Sequence, residues 1–273
     1  MTTKATSEFA STEGMTDTCA AGLRNLLVAC ADTKLLLGYH YGEWTFGPPV
    51  LEAAVANCSL SQTELGHVRL LHAILKKHYG DNPDALVERR DAAVFANIAY
   101  LNREISDWAG LVAANFVVDM AVTRILHSMK GSSFKPLRMS VGKMLDEERY
   151  HVHHGQGWFR TLASRSDEAR DILGTQTRNA LTFVVEWFGP DDEAEDQALV
   201  AATIKSRTNS EILDDLVDDV RATADELGVD VDVDARASFE GWTPVTRRVS
   251  QAGPDEDILY HLRGSKNAIF KLS

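Results

Sequence analysis

The sequence has 273 residues, with 40 acidic side chains against 28 basic ones and a formal net charge of -12. That length is enough to bury a core without disulfide or metal staples. The negative field excludes nucleic acid as the main partner, because phosphate binding needs positive charge. Three cysteines, Cys19, Cys30 and Cys58, form no spaced pattern and fit a reducing compartment. The polar start Met1–Glu8 lacks the apolar segment of a secretory signal. No run reads as the roughly 18 apolar residues that a membrane helix needs. The expectation is a cytoplasmic protein with neither a nucleic-acid nor a membrane partner.

Residues 1–15 read as a loose tail. From Asp17 to His40 apolar residues recur at helical spacing (Leu23, Leu26, Leu27, Cys30, Leu35), and Trp44–Pro49 ends the run. Pro49 suits the first turn of a second helix, expected over 50–79 and stopped by Gly80-Asp81-Asn82-Pro83. The spacing predicts a third helix over 106–129, which Gly131 breaks, and a fourth over 136–162. Shorter helices are expected at 167–187, 194–206 and 209–227, the last capped by Asn209 or Ser210. Val229–Asp234 alternates like a strand but reads as an extended arm. A weak helix follows near 255–262. Four long helices with few strand candidates predict an all-α fold, a four-helix bundle over 16–230 with additional C-terminal helices and a 231–273 extension.

Two acid-x-x-His pairs stand out. Glu64 and His67 lie on the second helix, and Glu148 and His151 on the fourth. Residues three apart share a helix face, so each pair can point both side chains inward. Nine histidines in a chain this acidic give about one such match by chance, so context must decide. Both pairs sit on long helices. Between them Asp119 lies in the apolar patch Phe116–Ala121, where an unpaired carboxylate would cost several kcal/mol. Two such pairs and a carboxylate from each of the other two helices make a di-metal carboxylate bundle. Carboxylate with imidazole suits iron or manganese and leaves positions open for dioxygen. The bland alternative is two surface polar pairs and a core-edge aspartate. The first helix offers no inward carboxylate and carries Lys34 where one is expected.

The chain resembles the multicomponent phenylacetyl-CoA epoxidase (phenylacetate ring 1,2-oxygenase) proteins, ferritin-like di-iron carboxylate bundles, over about residues 30–235. Leu36–Trp44 and Gly47–Leu51 look most like the structural subunit. Thr63–His67, the 29-residue spacing from Asp119 to Glu148, Phe188–Asp192, Ile204-Lys205, Thr208–Ile212, Val217-Asp218 and Leu227–Val229 look like the catalytic subunit. The resemblance implies metal ligation by Glu64, His67, Asp119, Glu148 and His151, with the sixth ligand position falling on Lys34. A protonated lysine cannot ligate a metal, but it can pair with the remaining carboxylates and take one metal's place, or bind as a neutral amine if its pKa is lowered. A slip of one turn would instead put it in solvent.

What the resemblance implies is an oxygenase. A di-iron centre, or a mono-metal or manganese variant, would insert oxygen from O2 into an aromatic or acyl-CoA substrate, with electrons from a reductase. Glu64, Asp119, Glu148 and Lys34 would be the catalytic groups, in a homo-oligomer or in a complex with a related subunit. The alternative is a non-catalytic structural partner of such a complex. A ferritin-type storage protein is disfavoured, because a storage bundle needs little beyond its four helices. Tyr150 and Trp158 are candidates for a pocket or an electron relay. His153 and His154 read as surface or supporting residues, and Arg69 and His72 as a solvent or partner face. Lys76 and Lys77 could meet a CoA phosphate, although a solvated helix end explains them as well.

Overall fold

The computed structural model describes residues 8–233, 238–250 and 252–271. The first helix, α1 (Asp17–Glu43), starts where Thr16 Oγ1 accepts from the Cys19 amide, 3.2 Å away. Its middle, from Leu26 to Gly38, is buried on every face, Asp32 and Lys34 included. The second, α2 (Leu51–Tyr79), begins after a Val50 cap, so Pro49 lies outside its first turn rather than in it. Gly80 closes it at φ 74, a left-handed conformation that glycine adopts without steric cost. A short helix, α3 (Pro83–Glu88), follows an Asn82 cap. Its six residues carry too little periodicity to be visible in the sequence.

The third long helix, α4 (Trp108–Ser128), is capped by Asp107, whose carboxylate accepts from the Gly110 amide at 2.7 Å. Residues Ala114–Asp119 within it wind as a π-helix. By length and composition α4 could cross a membrane, contrary to the expectation that no run would, but 94% of its apolar window is buried inside the protein. It is the core helix. The fourth, α5 (Lys135–Ala163), runs back along it. In the bundle α1 packs on α2, α2 on α5, α5 on α4 and α4 on α1. The four-helix bundle expected from the sequence is thus present, and the chain is all-α. Among the described residues no strand ladder forms, and the only β features are isolated bridges.

Beyond the bundle, α6 (Asp167–Phe188) packs on α4 and α5. Next, α7 (Ala194–Ala201) stops five residues short of the predicted end, at a turn where Thr203 has φ 55. The last bundle-facing helix, α8 (Asn209–Leu227), is capped by Thr208 and Glu211 together rather than by Asn209 or Ser210. Residues 229–233 form no strand and are tied down by Arg221, which donates to the Val233 carbonyl at 2.7 Å; Asp234 lies outside the described residues. Residues 238–250 and 252–271 pack back onto the bundle. Arg247 donates to the Trp187 and Phe188 carbonyls, and Ile258 and Leu259 of α9 (Glu256–Leu262) are buried. At the other end Phe9 exchanges backbone hydrogen bonds with Ser133 and Lys135, while residues 1–7 of the predicted tail lie outside the described residues.

Candidate metal centre

The periodicity of the four long helices brings four of the five predicted ligands to one point inside the bundle, with His67 beside them. Glu64 and His67 project from α2, Asp119 from α4, and Glu148 and His151 from α5; all five are buried. Ligand-type atoms of Glu64, Asp119, Glu148 and His151 all lie within 4.8 Å of one another. The His67 and His151 rings are stacked, with centroids 6.4 Å apart, and neither ring faces solvent.

Lys34 is at the centre of this cluster, not slipped toward solvent. Its Nζ lies 2.6 Å from Glu148 Oε1, 2.9 Å from Glu64 Oε2 and 3.6 Å from Asp119 Oδ1. Burial alone would favour a neutral amine, but the charges of Glu148, Glu64 and Asp119 hold its pKa well above the usual lysine range. In the metal-free cluster those charges favour the ammonium. His151 follows the same logic. Burial opposes its charge, yet Asp119 and Glu64, 2.8 and 3.1 Å from Nδ1, push its pKa up to about 11. Burial and the neighbouring Asp119 charge raise Glu64. For Glu148 burial is outweighed mainly by Lys34, and for Asp119 by His151 and Lys34, so both carboxyls are held low.

Several supporting groups were not foreseen in the sequence. Tyr41 Oη donates to Asp119 Oδ2 at 2.9 Å, and Asn115 Nδ2 donates to Tyr41 Oη at 2.8 Å. Thr123 Oγ1 donates to Glu148 Oε2 at 2.5 Å. Asn115 and Thr123 stand four residues either side of Asp119, on its helix face, so that spacing was the available signal. The π-helical segment ends on Asp119; π-turns recur at functional sites. His154 is half-buried and 3.1 Å from Asn115 Oδ1, in the supporting position expected, whereas His153 is exposed. His67 Nε2 is 2.8 Å from Glu147 Oε2, a carboxylate at the protein surface.

Other candidates fall away. Tyr150 is 76% exposed and points away from the cluster. Trp158 packs edge-on against Trp108 at 5.0 Å. His72 is buried rather than on a solvent face, while Arg69, Lys76 and Lys77 are exposed as expected.

The donor set shows what the cluster suits. A two-ion bundle needs a carboxylate from the first helix, and here an ammonium touches both glutamates that two ions would share. The four clustered donors are hard oxygens and an imidazole, a set that could hold a metal ion. Asp119 Oδ1 and His67 Nδ1, moreover, have no hydrogen-bond partner among the described residues. His67 Nδ1 is only 3.0 Å from Glu148 Oε1, but off the line that a hydrogen bond requires.

Residues 1–243 match the family model described as phenylacetic acid catabolic protein. The chain belongs to that family. A curated relative, benzoyl-CoA oxygenase component B of Aromatoleum evansii, is 30% identical over 110 residues, which are 40% of this chain and 23% of that protein. The match therefore spans less than a quarter of the relative's length. As a phenylacetic acid catabolic family protein, the chain sits among oxygenase-like proteins, and its buried carboxylate–histidine cluster is one that could hold a metal ion.

Proposed function

We propose that this chain is the metal-dependent component of a multicomponent oxygenase. It would place one oxygen atom from O2 on an aromatic or acyl-CoA-type substrate, beside a related helical subunit and with electrons from a separate reductase. The observation that carries this reading is the convergence of Glu64, Asp119, Glu148 and His151 at one buried point, in a chain of this family. Glu64, Asp119, Glu148 and His151 would hold the metal, iron or manganese by donor type. A bound iron would supply the redox chemistry that activates dioxygen.

The chain's own residues set the rest. Tyr41 and Asn115 fix the carboxylate of Asp119, so that one oxygen is engaged and Oδ1 is left free. Burial of the whole cluster excludes water and strengthens every charge interaction within it. Thr123 fixes Glu148 and also lines a cavity of ≈ 370 Å³ whose walls include Met120, His127, Val152 and Gln156. Through Thr123 that cavity borders the cluster, and on this reading it would admit the acyl group of the substrate. A cytoplasmic setting goes with a soluble thioester substrate.

The test is turnover of aromatic acyl-CoA thioesters by the iron-loaded chain with its partner subunit and reductase under ¹⁸O2. The expected product carries one ¹⁸O atom; iron-loaded protein in the intact complex that yields no labelled product with any such thioester would refute the reading.

One observation favours a second reading, the non-catalytic structural partner: Lys34 already neutralises part of the buried charge. The two readings separate at Glu148→Gln, which abolishes turnover of the assembled complex under the first and leaves it unchanged under the second.

A further inference from the structure

We infer that the Lys34 ammonium stands where one of two divalent ions would sit, so that the cluster takes a single divalent ion, held by Asp119, Glu148, His151 and Glu64. This rests on the reading of the cluster as a metal centre and adds its stoichiometry and its resident cation.

Three independent observations converge on it. The first is which half of the centre survives. In a two-ion bundle each ion draws on one lone carboxylate and one Glu-x-x-His pair, with glutamates shared between ions. Asp119 with Glu148 and His151, joined by Glu64, is one complete half, and these are the four residues whose donor atoms cluster within 4.8 Å. The other half would need Glu64, His67 and a carboxylate from α1, and α1 supplies Lys34. His67 stands outside the four-donor group, with its Nε2 turned to Glu147.

The second is charge. Four carboxylates balance two divalent ions. Exchanging one carboxylate for an ammonium changes the protein's charge by two units, the charge of one such ion. Once His151 gives up its proton to ligate, three carboxylates with one ammonium balance one divalent ion and leave an excess of positive charge around two. In a buried site, where charge interactions are weakly screened, that excess is decisive.

The third is place. Nζ of Lys34 lies between Glu64 and Glu148, at 2.9 and 2.6 Å, on the two carboxylates that two ions would share. Its side chain is fully buried, in the stretch of α1 that is enclosed on every face, so it has no solvent to retreat to. Asp119 Oδ1, at 3.6 Å from Nζ and without a hydrogen-bond partner among the described residues, is the acceptor the ammonium leaves unused.

The experiment is metal binding by the full chain, stripped of metal and reloaded anaerobically with Fe(II) and, separately, with Mn(II). Bound metal per chain is measured after unbound ions are removed, and the Mn(II) form is examined by electron paramagnetic resonance. The wild-type chain is expected to bind one ion and to give the six-line spectrum of an isolated Mn(II). Lys34→Glu is expected to bind two and to give the multiline spectrum of a coupled pair. Lys34→Met, which keeps the length and removes the charge, is expected to bind its ion at least about tenfold more tightly, because the ammonium no longer repels it. Two ions in the wild type, none in the wild type, or folded Lys34→Glu that stays at one would each overturn the inference. So would unchanged affinity in Lys34→Met, which also serves if Lys34→Glu does not fold. One bound ion without ¹⁸O incorporation would sink the oxygenase reading and leave this inference standing; ¹⁸O incorporation with two ions would do the reverse.

Discussion

Replacing Lys34 by methionine tests how the protein tolerates three buried carboxylates. The ammonium lies 2.6 and 2.9 Å from Glu148 and Glu64. At an effective dielectric of about 20, each contact is worth about 6 kcal/mol of gross attraction, most of it offset by the desolvation of the charges. The net cost of removing one partner from a buried pair is about 3–5 kcal/mol, because the remaining charges are left uncompensated. For a chain of this size each kcal/mol moves Tm by about 2–4 °C, so Lys34→Met in chelator should melt roughly 6–20 °C lower than wild type. The loss should shrink on acidification, because Glu64, already raised by burial and by Asp119, takes up a proton and removes one of the stranded charges. Divalent metal should restore much of it, because an ion bound to the folded state alone stabilises that state. Scanning calorimetry with chelator at pH 6 and pH 8, and then with Mn(II), gives all three readouts. A variant as stable as wild type in chelator at pH 8 would refute the reasoning, because the carboxylates would then not depend on the lysine.

Three further outcomes follow from the structure. Arg90→Ala strands Asp32, a buried carboxylate that Arg90 grips with two nitrogens, and should cost about 3–5 kcal/mol in denaturant unfolding; a loss under 1 kcal/mol would contradict the pairing. Gly155→Ala would bring a methyl group to 2.7 Å from Asn115 Oδ1, so the asparagine must shift and loosen its hold on Tyr41 and Asp119. A destabilisation of about 1–3 kcal/mol and weaker metal binding are expected, measured by unfolding and by metal titration. His40 is buried against the Leu101 carbonyl, and burial lowers its pKa to about 4. The unfolded chain therefore binds the extra proton first: stability is retained above about pH 6.5 and is lost as pH falls toward 4, by about 3 kcal/mol at the lower end. His40→Gln should flatten that part of the stability–pH curve, as measured by urea unfolding.

The long helices were legible in the sequence because each buries a stripe broad enough to set a period, and their ends fell within three residues of the expectation where capping or glycine marks them. The end of α7 was not legible, since the turn at Thr203 takes a backbone conformation that no glycine announces. Nor was the course of residues 238–250 and 252–271, which is fixed by contacts between distant segments, such as the Asp255 amide donating to the Asn102 carbonyl. Ligand-type residues were legible because an i, i+3 pair is a local signal. Their supports were less so: Tyr41 meets Asp119 only through folding, although it lies seven residues, two helical turns, beyond Lys34 on the same face of α1. The position of Lys34 was readable from helix register, but the effect of its charge was not, because that depends on which carboxylates surround it.

The central claim is that these side chains form a one-ion centre beside a resident ammonium. Anomalous diffraction from a crystal of the Mn(II)-loaded chain tests it most directly. The account predicts a single anomalous peak bonded to Asp119, Glu148 and His151, with Lys34 still against the glutamates. Two peaks inside the bundle, or density only on the protein surface, would contradict it.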